Sequence, residues 1–439
     1  MAMVAILIGF AEIFKDFGVS AAVVQREKLD SLVLSTMFWC TVVTGGGIAM
    51  ALNFLAPSIA NFYDEPLLVN IVLLLAINFF LSSLTIIPHA MLIRDMAFRK
   101  LFYIALIAEL AAASMAIWLA LDGWGYWSLL GKIWVSTGLH LLLLWSFLGW
   151  RPRLRISIFA IKELMDFSTP LVGGESINYW VRHLDDLLIA RFFGERAIGL
   201  YGKAYSFLTI PLVQIRGVVG RIALPVLSRL QDDQDQVRIY FLKITRMVAL
   251  FSFPTFLGLY ILSHDLIYVL LGIQWMEVVP LLQIFSLCGL LQSVVVLTGV
   301  LFISQGATAL KFKVSLLTSS LGIAAILIGL NWGVEGIAWG LLIATMINLL
   351  PNVHFVGRLI NMSFWDWLVN LKELFLCTIV MSFGMLLCQS LLFEMNIYVR
   401  FLILTITGGL IYLFVLKVLR VRALGESMSF IQKLITSRA

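Results

Sequence analysis

The residues of this chain able to do chemistry are ionisable and amide groups set inside apolar runs. Between Gly173 and Asp186, Glu175, Asn178, Arg182 and the pair Asp185/Asp186 recur at spacings of three and four, which places them on one stripe of an α-helix. An ionised group at the centre of a membrane helix costs roughly 2.5 to 3.5 kcal/mol on insertion scales, so such a stripe belongs against a bundle interior or an aqueous cavity. Arg182 lies about 13 residues into its run, roughly 20 Å deep at about 1.5 Å per residue. It either meets an anionic ligand or is neutralised by Asp185 and Asp186 one turn on. In the next run Lys203, Gln214 and Arg221 share a face, whereas Arg216 points elsewhere unless Pro211 or Gly217 bends the helix. Arg221 sits near the end of its run, where its side chain can equally reach the interface. Asn178 and Gln214 can equally bond neighbouring helices.

A second set could carry protons. Glu109 lies mid-run with no basic residue within one turn of its own helix, and an unpaired carboxylate in low dielectric takes up and releases a proton near neutral pH. It could also be a neutral acid bonded to a neighbouring helix. Glu175, beside Gly173 and Gly174, is the second candidate for ion coupling. Glu12 and Asp16 share a face with Lys15 and follow.

The elements that must position these groups are membrane helices. The chain has 439 residues, 61% hydrophobic and 13% charged, with a mean hydropathy of +0.99. Those values describe an all-α polytopic membrane protein and leave no room for a sizeable soluble domain. About thirteen runs are long enough to cross a bilayer core, near residues 1–24, 32–56, 67–90, 101–121, 126–148, 163–190, 197–223, 239–263, 277–304, 313–331, 334–357, 373–393 and 397–416. The four cysteines and five histidines are scattered without ligand spacing, so no metal, disulfide framework or cofactor is expected. No nucleotide-binding motif is present, which argues against ATP hydrolysis by this chain.

Most of the 31 basic residues fall in alternate connections and the tail, among them Arg94, Arg99, Arg151, Arg153, Arg155, Arg229, Lys311 and Arg420. That side is read as cytoplasmic, C-terminus included, and the net charge of +6 then reflects topology and calls for no nucleic-acid partner. The other connections hold Arg191, Arg196 and Arg400, with Trp124, Trp127, Trp275 and Trp332 as an aromatic belt. Arg151–Arg155 suggests a lobe boundary and residues 362–366 a second. The expected units are thus an N-terminal lobe, 1–150, a C-terminal lobe, 151–361, and a terminal helix pair with a basic tail, 362–439. Thirteen crossings ending in a cytoplasmic tail would start outside the membrane, so a further helix upstream of Met1 is expected; the alternative is that the first segment re-enters without crossing and twelve spans suffice.

Short segments then suggest a family: Asp16-Phe-Gly18 before a basic loop, Phe62-Tyr-Asp-Glu-Pro66, Leu187-Leu-Ile-Ala-Arg-Phe-Phe-Gly194, Ile198-Gly-Leu-Tyr201 with Ala204-Tyr205, Leu224-Pro-Val-Leu-Ser-Arg-Leu230 and Pro280-Leu-Leu-Gln283. In order and placement they resemble the Wzx-type oligosaccharide flippases of the multidrug/oligosaccharidyl-lipid/polysaccharide exporter superfamily. The resemblance covers nearly the whole chain. It implies a two-lobed transmembrane helix bundle of fourteen helices, of which the first is missing here. It also implies a bacterial inner membrane, and an undecaprenyl-diphosphate-linked oligosaccharide flipped by alternating access for surface polysaccharide biosynthesis, without enzymatic chemistry. Membrane lipids and other polysaccharide-assembly membrane proteins are the implied partners. Such a headgroup needs cationic and amide groups in a wet cavity, a role suited to Arg182, Asn178, Lys203, Gln214, Arg216 and Arg221. A multidrug or lipid exporter of the same superfamily is the alternative. A membrane oligosaccharide polymerase or glycosyltransferase would favour a long outer loop, and here the outer loops are the short ones.

Overall fold

The computed structural model describes residues 2–16, 19–20, 23 and 30–421; within these, the side chains of Glu175, Asn178, Arg182 and Arg221, among others, lie outside the description. All regular structure among the described residues is helical. The helices are α1 (Ala2–Asp16), α2 (Ser31–Tyr63), α3 (Leu68–Ser83), α4 (Ile86–Arg94), α5 (Phe98–Leu121), α6 (Trp127–Phe147), α7 (Ile158–Arg229), α8 (Gln234–Leu271), α9 (Val278–Ser304), α10 (Thr308–Gly329), α11 (Gly333–Leu359), α12 (Phe364–Leu391) and α13 (Ile397–Val418). Among the described residues nine segments are long and apolar enough to cross a membrane. One of them, Ala309–Leu359, runs through α10 from its second residue and through α11.

The chain divides into two compact units, Met1–Glu195 and Arg196–Ala439. In the first, α2 packs on α3, α5 on α6, and α3 on α6. The connection after α6 is tied back to α2: the Arg153 amide donates to Ser35 Oγ (3.0 Å), the Ser157 amide to Thr36 Oγ1 (2.9 Å), and Trp39 Nε1 to the Arg153 carbonyl (3.0 Å). In the second unit α8 packs on α9, α12 and α13, and α10 pairs with α11. The α10–α11 approach depends on glycine: a Cβ at Gly340 would stand 2.6 Å from the Ala325 carbonyl oxygen.

Three apolar runs are shaped differently from their hydropathy. The run at 67–90 breaks into α3 and α4, with Pro88 near the start of α4. Proline has no N–H for the carbonyl four residues earlier, and the Leu84 carbonyl is taken instead by Trp145 Nε1 at 3.2 Å. Pro254 inside α8 leaves the same gap at Leu250, filled by the Tyr412 hydroxyl at 2.9 Å. With no water in hydrocarbon to serve those carbonyls, an aromatic donor from a neighbouring helix completes each one. The runs at 163–190 and 197–223 form a single helical stretch, α7, broken at Gly194, whose φ of 80° and ψ of −174° are non-helical. Backbone dihedrals stay helical through Pro211 and Gly217, so Arg216 is not turned onto the Lys203 face by a break there.

Candidate functional site

In the first unit α1 presents the expected polar face. Lys15 Nζ stands 3.4 Å from Glu12 Oε1, donates to Ser82 Oγ on α3 at 2.8 Å, and lies 4.7 Å from the centre of the Phe79 ring. Lys15 is thus drawn inward and compensated by a carboxylate, an acceptor and an aromatic face, while Glu12 stays open. Asp16 Oδ1 accepts from the Ser20 amide at 3.2 Å and from its hydroxyl.

Glu109 differs from its sequence reading, because it is not unpaired. Lys132 Nζ of α6 lies 3.9 Å from its Oε2, and the Ser136 hydroxyl donates to Oε1 at 2.8 Å. Both partners come from the adjacent helix α6, so spacing along α5 carries no sign of them.

On α7 the Tyr179 hydroxyl donates to the Ile6 carbonyl of α1 at 2.6 Å, and Phe10 packs against Tyr179 and Trp180. His183 packs against Tyr179, its ring tilted by 34° with ring centres 4.4 Å apart, and pairs through Nδ1 with Asp186 Oδ2 at 2.9 Å. The spacing of three between His183 and Asp186 is the sequence signal for this pair. Asp185 is buried. The candidates Glu175, Asn178, Arg182 and Arg221 fall outside the described side chains.

In the second unit Lys203 is half-buried, and Gln214 and Arg216 are exposed. A buried ion pair joins α8 to α13: Arg400 Nε donates to Asp265 Oδ2 at 2.8 Å, and its second nitrogen donates to Oδ1. Arg400, expected in an outer connection, is therefore turned inward from the first turn of α13. Between α8, α12 and α13 lies a cavity of about 660 Å³ lined by Phe251, Leu259, Leu262, Met381, Met385, Phe401 and other apolar side chains, with Thr255, Thr405 and Tyr412 as its few polar members. A smaller cavity of about 480 Å³ in the first unit, between α1, α2 and Leu187 of α7, is also apolar.

Residues 1–280 match the family model described as polysaccharide biosynthesis protein. The chain belongs to that family. It is 27% identical over 398 residues to the lipopolysaccharide biosynthesis protein WzxC of Escherichia coli (strain K12), spanning 87% of this chain and 79% of the relative. To the teichuronic acid biosynthesis protein TuaB of Bacillus subtilis (strain 168) it is 28% identical over 419 residues, spanning 93% and 85%. Its fold is similar to that of the lipid II flippase MurJ in an inward closed conformation, with a TM-score of 0.73 at 17% identity, covering 99% of this chain and 92% of that one. The Wzx-type resemblance and the two-lobed helical membrane fold expected from the motifs are thereby borne out.

Proposed function

We propose that this protein flips an undecaprenyl-diphosphate-linked oligosaccharide from the cytoplasmic to the outer leaflet of the bacterial inner membrane, by alternating access. The observation that carries the reading is the likeness to polysaccharide biosynthesis proteins along most of the chain, on a fold that extends almost end to end over a lipid-linked substrate flippase. The transport lobes would be 1–150 and 151–361, with 362–439 as the terminal pair and cytoplasmic tail. The headgroup would meet Arg182, Asn178, Lys203, Gln214 and Arg221, with Arg216 off the Lys203 face, and the polyprenyl chain would lie in the apolar cavity between α8, α12 and α13. Ion coupling would fall to Glu109, Glu175, Glu12 or Asp16, with Glu109 beside Lys132 at 3.9 Å and Glu12 beside Lys15 at 3.4 Å.

The test is flipping of the lipid-linked oligosaccharide that accumulates in a strain deleted for the gene, in vesicles carrying the purified full chain. Outward movement dependent on the protein is expected, and its loss in Arg182→Ala at normal membrane levels. No flipping by the wild-type chain would overturn the reading; full flipping by Arg182→Ala would remove that residue from the site.

A further inference from the structure

Lys132, Ser136 and His140 recur every fourth residue on α6, a line about 12 Å long at about 1.5 Å per residue. Glu109 of α5 reaches the same line: its carboxylate accepts from Ser136 and stands beside Lys132. The side chains of Glu109 and Lys132 are 55% and 46% exposed, although both lie within membrane-crossing segments. Ionic groups open to hydrocarbon would each cost a few kcal/mol, so this line is expected to face water.

Its chemistry is only partly used internally. At 3.9 Å the ion pair is loose, leaving ammonium donors and carboxylate lone pairs free for a ligand. His140 Nδ1 lies 3.1 Å from the Ser136 carbonyl, an acceptor only, so Nδ1 is the donor there and Nε2 is left to a further partner. One residue after Ser136, Thr137 donates to Asn78 Oδ1 at 3.2 Å, while the buried Asn78 Nδ2 has no hydrogen-bond partner among the described residues. Ammonium, hydroxyl, carboxylate and imidazole thus alternate donors with acceptors along one line. That pattern suits a chain of sugar hydroxyls, each of which both donates and accepts; a lipid tail has no use for it.

We propose that Glu109, Lys132, Ser136 and His140 form a binding wall for the hydroxyl groups of the glycan carried by the lipid-linked substrate, an inference that rests on the flipping function above. Two measurements on the full-length protein test it. First, Ser136→Cys is treated in membrane vesicles of both orientations with a membrane-impermeant, charged thiosulfonate, using wild type as baseline for the native cysteines and Asp122→Cys as an outer-loop control. Labelling of Cys at 136 from at least one side is expected, slowed by the lipid-linked oligosaccharide from the deletion strain. No labelling from either side while the control reacts would place the line against lipid or a second copy and overturn the proposal. Second, Lys132→Gln and Glu109→Gln are each expected to raise KM for that oligosaccharide about tenfold, as for one lost ligand hydrogen bond. A charge swap, Glu109→Lys with Lys132→Glu, that restores wild-type KM would show that the pair only holds α5 to α6 and would also overturn it. If wild type flips nothing, the functional reading fails on its own, and the labelling still reports whether the line meets water.

Discussion

Asp265 and Arg400 lie 135 residues apart and meet in a fork-to-fork ion pair, with side chains 1% and 10% exposed. Removing one partner of such a pair leaves a buried charge with no counterpart, which costs roughly 3–5 kcal/mol, whereas replacing both by apolar residues of similar volume is often neutral. Arg400→Ala is therefore expected to lower the thermal unfolding midpoint in detergent sharply, and Asp265→Leu with Arg400→Met to recover most of it; an unchanged midpoint in the single variant would remove the pair from stability. Tyr412→Phe is a smaller version of the experiment. It strips the donor from the Leu250 carbonyl freed by Pro254, at about 1–3 kcal/mol for an unsatisfied buried group. Neither contact was legible in the sequence. Hydropathy marks Arg400 as an interruption near the end of an apolar run and therefore as a loop residue, and nothing local reveals a partner so far away along the chain. Lys132 as the partner of Glu109 was hidden in the same way. The Glu12/Lys15 contact, by contrast, lies within one turn and was read directly from its spacing.

At the scale of elements, apolar runs located the membrane helices but not the breaks within them. Hydropathy registers composition, and a change in φ/ψ at one residue leaves it untouched. Gly194 is the clearest instance. Its dihedrals fall where only glycine sits without strain, and a Cβ there would meet no atom, so a substitution tests backbone conformation alone. Arg191 and Arg196 flank the break, each held within its own unit: Arg191 bonds Asp64 at 2.6 Å and lies over the Phe62 ring, and Arg196 bonds Glu277 at 2.7 Å. Gly194→Ala is expected to destabilise by about 1–3 kcal/mol, read as a lower unfolding midpoint. Gly217→Ala is the control, since that glycine is helical with open space at its Cβ, and there alanine should be neutral or stabilising by about 0.5–1 kcal/mol. Equal midpoints for the two variants would show that the break tolerates a side chain.

For the whole molecule, contacts within each unit group the helix ends into two alternating sets, independently of charge. In the second unit the ends joined by Asp265–Arg400 and Arg196–Glu277 alternate with the end joined by Arg238 to Asp366 and to the Asn361 carbonyl, as helices crossing up and down require. In the first unit the Asp64–Arg191 end alternates in the same way with the end where the 151–157 connection is tied to α2. This parity is silent on which side is cytoplasmic. The distribution of Arg and Lys speaks to that, because basic residues in short connections are retained on the cytoplasmic side, and here they gather at 94–100, 151–155 and 229–246 and avoid 122–126 and 272–277. Alkaline phosphatase fused within 122–126 or 272–277 is therefore expected to be active, and inactive when fused within 151–157 or 230–233. Uniform reversal of all four would invert the molecule while leaving the helix packing intact. A mixed result, such as activity at both 230–233 and 272–277, would mean that α8 does not cross the membrane, and would break the parity on which the assignment of the Asp265–Arg400 end rests.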